Sequence, residues 1–265
     1  MSEAEVEARS RSRFKWPLSR TRLIELTVVV FGVVIALGME SVAEEIRLQG
    51  DARELESAFQ SEVFYAVVYS WERQAAEPCL SQRLASLAQR VAAAGEGPWT
   101  AEPDFRRVAG GLEFATPQTY RSPSRQWMTT TFDRALSTEA FKRIPRDRAA
   151  EYAGIFGLMA ERRDANSAEF LSAAALAPLA YDGVEMNAEI KADMLQQIAL
   201  VDRHRALALV SSDLIIEAAL ALPGNGVRSA IRENRNLFTE MGQRAREGHG
   251  ACVDLGATER LMARL

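Results

Sequence analysis

Histidine and cysteine are nearly missing from this chain: His204, His249, Cys79 and Cys252 are the whole supply among 265 residues. A closed zinc site needs about four nitrogen or sulfur ligands, and most Ser-His triads need a histidine to spare, so both chemistries are hard to build here. His249 does neighbour Cys252 in Gly248-His249-Gly250-Ala251-Cys252, but no second ligand pair accompanies it, and a loop beside a disulfide is the simpler reading. His204, in Asp202-Arg203-His204-Arg205, reads as an exposed or salt-bridged residue of a charged helical band. No phosphate-binding G-x-x-x-x-G-K-[ST] loop, G-x-S-x-G elbow, H-E-x-x-H or C-x-x-C pattern is present, and Gly95-Glu96-Gly97 lacks the third glycine of a dinucleotide loop. The Glu-x-x-His pairs of di-metal carboxylate bundles are missing too. No metal site and no cofactor are therefore expected. Basic excess is also lacking: the net charge is −4, and the chain beyond Ala43 holds 26 bases against 31 acids, which argues against nucleic acid as a partner.

Long apolar runs are lacking everywhere but in one place. From Leu23 to Ala43, LIELTVVVFGVVIALGMESVA contains only Glu25 and Glu40 as charges. At a rise of about 1.5 Å per residue such a helix spans roughly the 30 Å hydrocarbon core of a bilayer. Both carboxylates lie near its ends, within reach of the headgroups. Leu23, Phe31, Gly32, Ala36 and Leu37 belong to this expected anchor, with the lipid bilayer as its partner. Arg9, Arg11, Arg13, Lys15, Arg20 and Arg22 precede it, with Phe14 and Trp16 among them, whereas Glu40, Glu44 and Glu45 end or follow it. That asymmetry places the N-terminus in the cytoplasm and the remainder in the periplasm of a bacterial inner membrane. The expected organisation is a basic tail over residues 1–22, a transmembrane anchor over 23–43 and a helical domain over 44–265. Two other readings fit the same run: a secretory signal cleaved after Ser41-Val42-Ala43, and a buried helix of a cytosolic bundle. Gly32 and Ala36, four residues apart, form a small-x-x-x-small pair that permits homodimerisation.

Downstream, the apolar spacing is helical almost throughout. Leu48, Ala52, Leu55, Phe59, Ala66 and Trp71 recur with charges between them, so the anchor helix continues outward as a stalk to Ala76. Glu77-Pro78 predicts a break, and Leu80, Leu84, Leu87 and Val91 a second helix folding back as a hairpin. A short helix is expected near Asp104 to Val108 within a loop-rich connector that shows no clear strand. Ser122-Pro123 predicts the start of a helix burying Trp127, Met128, Phe132 and Leu136. Ser137-Thr138-Glu139 restarts a short one through Ile144, and Pro145 opens a long one to Leu176 whose apolar faces include Tyr152, Ile155, Phe156, Met159, Phe170 and Leu171. Helices are further expected over Glu185 to Leu222, over Val227 to Arg246 and, briefly, at the C-terminus. The fold class is all-α: a transmembrane helix continuing into a stalk, then an up-and-down bundle of about four to six helices.

The segment IELTVVVFGVVIALGMESVAEEIR, with the later YRSPSRQWMTTTFDRALST, resembles an uncharacterised bacterial family of single-pass membrane-anchored helical proteins, a domain of unknown function. In that family an apolar F-G-V-x-I-A-L stretch leads into an extracytoplasmic helical domain. The resemblance implies topology and no activity, and it carries over no functional residue.

The sharpest site candidates are Asp213 and Glu217, four apart on one face of a largely apolar helix, able to hold a cation or to tune each other's protonation. Arg228, Arg232 and Arg235 are candidates to pair with them or to hold an anion from one helix face. Cys79 and Cys252 are candidates for a disulfide in an oxidising compartment. The function these readings favour is a membrane-anchored binding or scaffolding module for a protein or a small ligand. The alternatives are a helical-cleft hydrolase around Asp213 and Glu217, and an accessory sensor domain.

Overall fold

The computed structural model describes residues 20–102, 119–123 and 125–265, with side chains from Ile24 onward. Among these residues the chain is all-α, with eight α-helices and a single pair of two-residue strands. It divides into two compact units, Met1–Gly50 and Asp51–Leu265. The expected short helix over 104–108 lies outside the described residues.

In the first unit the helix α1 (Arg20–Ala93) begins. It is the one helix near the N-terminus long and apolar enough to cross a membrane, and none of its apolar window is buried. Phe31 is 64% and Leu37 60% exposed, Ala36 is exposed, and an added Cβ at Gly32 meets nothing within 4 Å.

In the second unit the same helix is the central core element. Phe59, Val63, Val67, Trp71, Ala75 and Val91 are fully buried. The expected break and hairpin at Pro78 do not occur, because Pro78 lies inside α1. Proline removes one intrahelical N–H and crowds the carbonyl four residues back, at a cost of about 3 kcal/mol or more unless the freed backbone groups find other donors. Pro78 has no N–H to give the Gln74 carbonyl; one residue on, the Ala75 carbonyl accepts from the Asp254 N–H at 2.8 Å. The adjacent Cys79 is disulfide-bonded to Cys252, so the chain that supplies this donor is covalently held against the proline turn.

The remaining helices are α2 (Thr130–Ala135), α3 (Glu139–Lys142), α4 (Arg146–Ala174), α5 (Ala188–Ala221), α6 (Gly226–Glu233), α7 (Arg235–His249) and α8 (Ala257–Ala263). Thr138 caps α3 by accepting from the Phe141 N–H, and the Asn187 side chain caps α5 by accepting from Ile190 N–H at 2.9 Å. Pro145 sits just before α4, and Pro223 ends α5 by forcing Leu222 into an extended conformation. Strand β1 (Gly97–Pro98) pairs antiparallel with β2 (Glu185–Met186), and the Trp99 indole donates to Leu179 O at 3.0 Å, tying the end of α1 to the entry of α5.

Three expectations need correction. Ser122-Pro123 starts no helix: residues 125–129 are irregular, α2 begins at Thr130, and Met128 and Leu136 are exposed while Trp127 and Phe132 are buried. The helix expected over Val227 to Arg246 is two, since the Asn234 side chain donates to Ala230 O at 2.8 Å and competes with the backbone ladder. Phe170 and Leu171 point to solvent, at 62% and 70% exposure.

The core consists of two apolar clusters. One gathers Phe59, Phe132, Tyr152, Phe156, Ile215, Ile231 and Phe238. The other gathers Leu80, Leu84, Leu87, Trp99, Leu176, Met194 and Val201. On each of the three long helices, polar residues fall where one cluster gives way to the other: Ser70, Glu72 and Arg73 on α1, Arg162, Asn166 and Glu169 on α4, and Ser211 and Ser212 on α5.

Candidate functional site

The polar layer between the clusters is built from helix positions that continue the buried faces of α1, α4 and α5, so its charges are dry by geometry. Arg73 and Glu169 form a bidentate pair at 2.8 and 2.9 Å, with side-chain exposures of 0% and 1%. Tyr120 donates its hydroxyl proton to Glu169 Oε1 at 2.6 Å. Burial, and then the Glu169 carboxylate, push the Tyr120 phenol well above its ordinary range, so it stays a donor. Arg162 is 1% exposed, donates from Nε to Ser212 Oγ at 3.1 Å and lies 5.4 Å from the Trp127 ring centroid. Its Nη1 has no hydrogen-bond partner among the described residues. Burial, followed by the Arg73 cation, pushes the Arg162 guanidinium down to about 10. His204 accepts or donates through Nδ1 to Ser172 Oγ at 2.9 Å, where an exposed or salt-bridged residue was expected. Among the described residues no group of three or more His, Cys, Asp or Glu side chains is placed to hold a metal ion.

The candidates read from the sequence do not converge. Asp213 and Glu217 are both exposed on α5. Asp213 accepts from the Gln74 side chain, and Glu217 faces Arg264 at 3.8 Å. Neither takes Arg228, Arg232 or Arg235 as a partner in any described contact. Those three arginines also fail to share one helix face, because Asn234 separates Arg228 and Arg232 on α6 from Arg235 on α7. Arg228 caps α5 by donating to Leu220 O, Arg232 donates to Leu265 O, and Arg235 pairs with Glu259 at 2.8 Å. The first two satisfy a helix end and a backbone carbonyl at Leu265, and the third is an exposed ion pair between α7 and α8. Cys79 and Cys252 are joined.

Two features were not legible beforehand. The first is an apolar stripe on the outside of α5: Leu200, Leu207, Val210 and Leu214 are 38%, 52%, 56% and 44% exposed. The spacing of seven, three and four residues places them on one helix face. The opposite face is packed, with Val201, Ala208, Ser212, Ile215 and Ile216 buried. The available signal was that Ala206 to Leu222 is apolar nearly all round, more than one buried face requires. The second is a cleft of about 350 Å³ lined by Gln74, Glu77 and Pro78 of α1, Leu209 of α5, Ala257, Arg260 and Leu261 of α8, and Arg264 at its C-cap. Arg205 of α5 pairs with Glu77 Oε1.

No family model matches the chain, and no curated protein or solved structure is similar to it at a significant level.

Proposed function

We propose that this protein is a single-pass protein of the bacterial inner membrane, its N-terminal tail cytoplasmic and its helical domain periplasmic, working as a binding or scaffolding module for another protein. The observation that carries the binding role is the stripe Leu200, Leu207, Val210 and Leu214, exposed on a helix whose other side is filled by core. Contiguous exposed aliphatic residues at helical spacing are what an amphipathic partner helix or groove recognises. The sidedness rests on the basic run before Leu23 and on the disulfide, since such bonds persist in oxidising compartments. The hydrolase alternative loses its support, because Asp213 and Glu217 stand on an exposed helix face with separate partners. A sensor role would pass its signal through the same α5 face. Gly32 and Ala36 offer a close-approach surface to a second copy within the membrane.

Photo-crosslinking from position 207 or 210 in intact cells tests the surface. Adducts that vanish when Leu214→Lys is added, while the domain keeps its Tm, support the role, and the same yield from exposed Arg163 on α4 overturns it. Protease added to spheroplasts tests the sidedness: the domain is expected to be cut without lysis.

A further inference from the structure

The outer face of α5 carries a spacing as well as an exposure. Leu200, Arg203, Leu207, Val210 and Leu214 follow one another at intervals of three, four, three and four residues, and Glu217 lies three further on. That is the a/d alternation of a heptad, the period at which one helix presents a continuous seam to a second helix coiled around it. A seam packed on the protein's own core would be buried. All these residues are exposed instead, while Val201, Ala208, Ser211, Ile215 and Ile216 fill the inner face of the same helix. From Leu200 to Glu217 the seam runs for about 27 Å at the helical rise of about 1.5 Å per residue.

Two charges interrupt the seam, and they are not equivalent. Glu217 already faces Arg264 at 3.8 Å, whereas Arg203 makes no hydrogen bond or ion pair among the described residues. The acids of α5 around it are engaged elsewhere: Asp202 accepts from Arg205 at 2.8 Å, Asp193 from Gln197 at 3.4 Å, and Asp213 from the Gln74 side chain. A helix laid along the seam would cover the Arg203 guanidinium between Leu200 and Leu207, and a covered cation with no counter-charge is strongly unfavourable. An acid supplied at that layer removes the penalty and, like other polar residues at core positions of coiled coils, fixes the register. A second copy of α5 does not supply one. In parallel self-pairing Arg203 meets Arg203, and in the antiparallel register that layers Leu207 on Val210, Arg203 meets Leu214 and Glu217 meets Leu200.

We propose that the outer face of α5 is one side of an intermolecular coiled coil whose other side is an amphipathic helix of a different protein, with aliphatic residues over Leu207, Val210 and Leu214 and an aspartate or glutamate opposite Arg203. This rests on the binding role inferred above and specifies its partner: the leucines and Val210 supply the contact, and Arg203 selects among apolar helices by charge.

The test uses the full chain in nanodiscs and two synthetic amphipathic peptides of about three heptads, with leucine and isoleucine along the seam, identical except for glutamate or lysine at the one seam position that layers on Arg203. The labelled peptide is held below its own self-association range while the chain is titrated, with fluorescence anisotropy as the readout. The glutamate peptide is expected to bind at least tenfold more tightly than the lysine peptide. Arg203→Glu is expected to invert that order with helical circular dichroism and Tm unchanged, and Val210→Asp to abolish binding of both peptides. Equal binding of the two peptides, binding of neither, or an order that Arg203→Glu leaves unchanged overturns the proposal, as does a dimer of the chain crosslinked between positions 207 and 210. Adducts from position 207 in cells together with equal peptide binding would leave the binding role standing and remove only the partner assigned here.

Discussion

Two regions of the second unit are equally dry and chemically opposite. In the aromatic cluster, Phe59 is ringed by Phe132, Tyr152 and Phe156 with centroids 5.2 to 5.4 Å away, and Phe132 stacks on Phe156 at 4.5 Å. In the polar layer a few residues along the same helices, Arg73, Glu169, Tyr120 and Arg162 are buried as deeply. Removing apolar rings from water contributes free energy directly, at about 25 cal/mol per Å². Removing charges from water costs several kcal/mol per ion, which pairing only offsets. The aromatic cluster therefore supplies stability, while the polar layer fixes the register of α1, α4 and α5 by penalising any arrangement that leaves Arg73 or Glu169 alone.

The comparison breaks most visibly under paired substitutions. Phe59→Ala is expected to cost about 3–5 kcal/mol through the cavity it leaves, and Glu169→Ala about the same by stranding a buried guanidinium, both read by urea denaturation. The contrast lies in rescue: Arg73→Met combined with Glu169→Leu is expected to recover most of the loss, and a double variant no better than Glu169→Ala would refute the register argument. Next comes the disulfide at the border of the two clusters. Its sequence separation of 173 residues predicts a loss of about 2–5 kcal/mol for Cys252→Ser or on reduction, seen as a lower Tm under non-reducing conditions for the variant. A smaller effect of opposite sign is expected from Arg162→Met, which removes a desolvated cation whose Nη1 has no described partner. A gain of about 1 kcal/mol is the expected outcome, and a clear loss would show that the Ser212 and Trp127 contacts outweigh its desolvation. The smallest effect concerns Glu62 at the edge of the aromatic cluster, where burial raises its carboxyl pKa. A raised carboxyl pKa penalises the folded state at neutral pH, and the penalty is relieved as pH falls through the folded-state value. Glu62→Gln is thus expected to raise Tm at pH 7 by an amount that shrinks toward about pH 4.

Much of the fold was legible because it rests on local rules. Thr138, Pro145 and Pro223 mark helix ends by capping or by steric exclusion, and the structure places the ends there or within a residue or two. The failure at Pro78 had no local signal: α1 runs through the proline, and the contacts beside it, the Asp254 N–H on the Ala75 carbonyl and the Cys79–Cys252 bond, come from far along the chain. The Ser122-Pro123 start failed for a related reason. Arg125 is drawn into a two-pronged pair with Glu72 at 2.6 and 2.7 Å, holding that irregular stretch against α1. The candidate sites fared worse. Spacing along one helix brought Asp213 and Glu217 together, but whether a helix face looks into a cleft or out to solvent depends on which neighbours pack beside it. Leu207 and Leu214 were hidden by the same ambiguity, since apolar residues on a helix that is apolar nearly all round give no sign of which side stays bare.

The bond between Cys79 and Cys252 gives the molecule the connectivity of a lasso, its ring closed near the start of the domain and its short tail trailing beyond. A single backbone cut anywhere between Leu80 and Ala251 would release nothing: both fragments would stay fastened to the segment bearing Arg20–Gly50. Only a nick followed by a reductant would set the distal piece adrift, so two successive insults are required to shed what one would remove from an uncrosslinked chain.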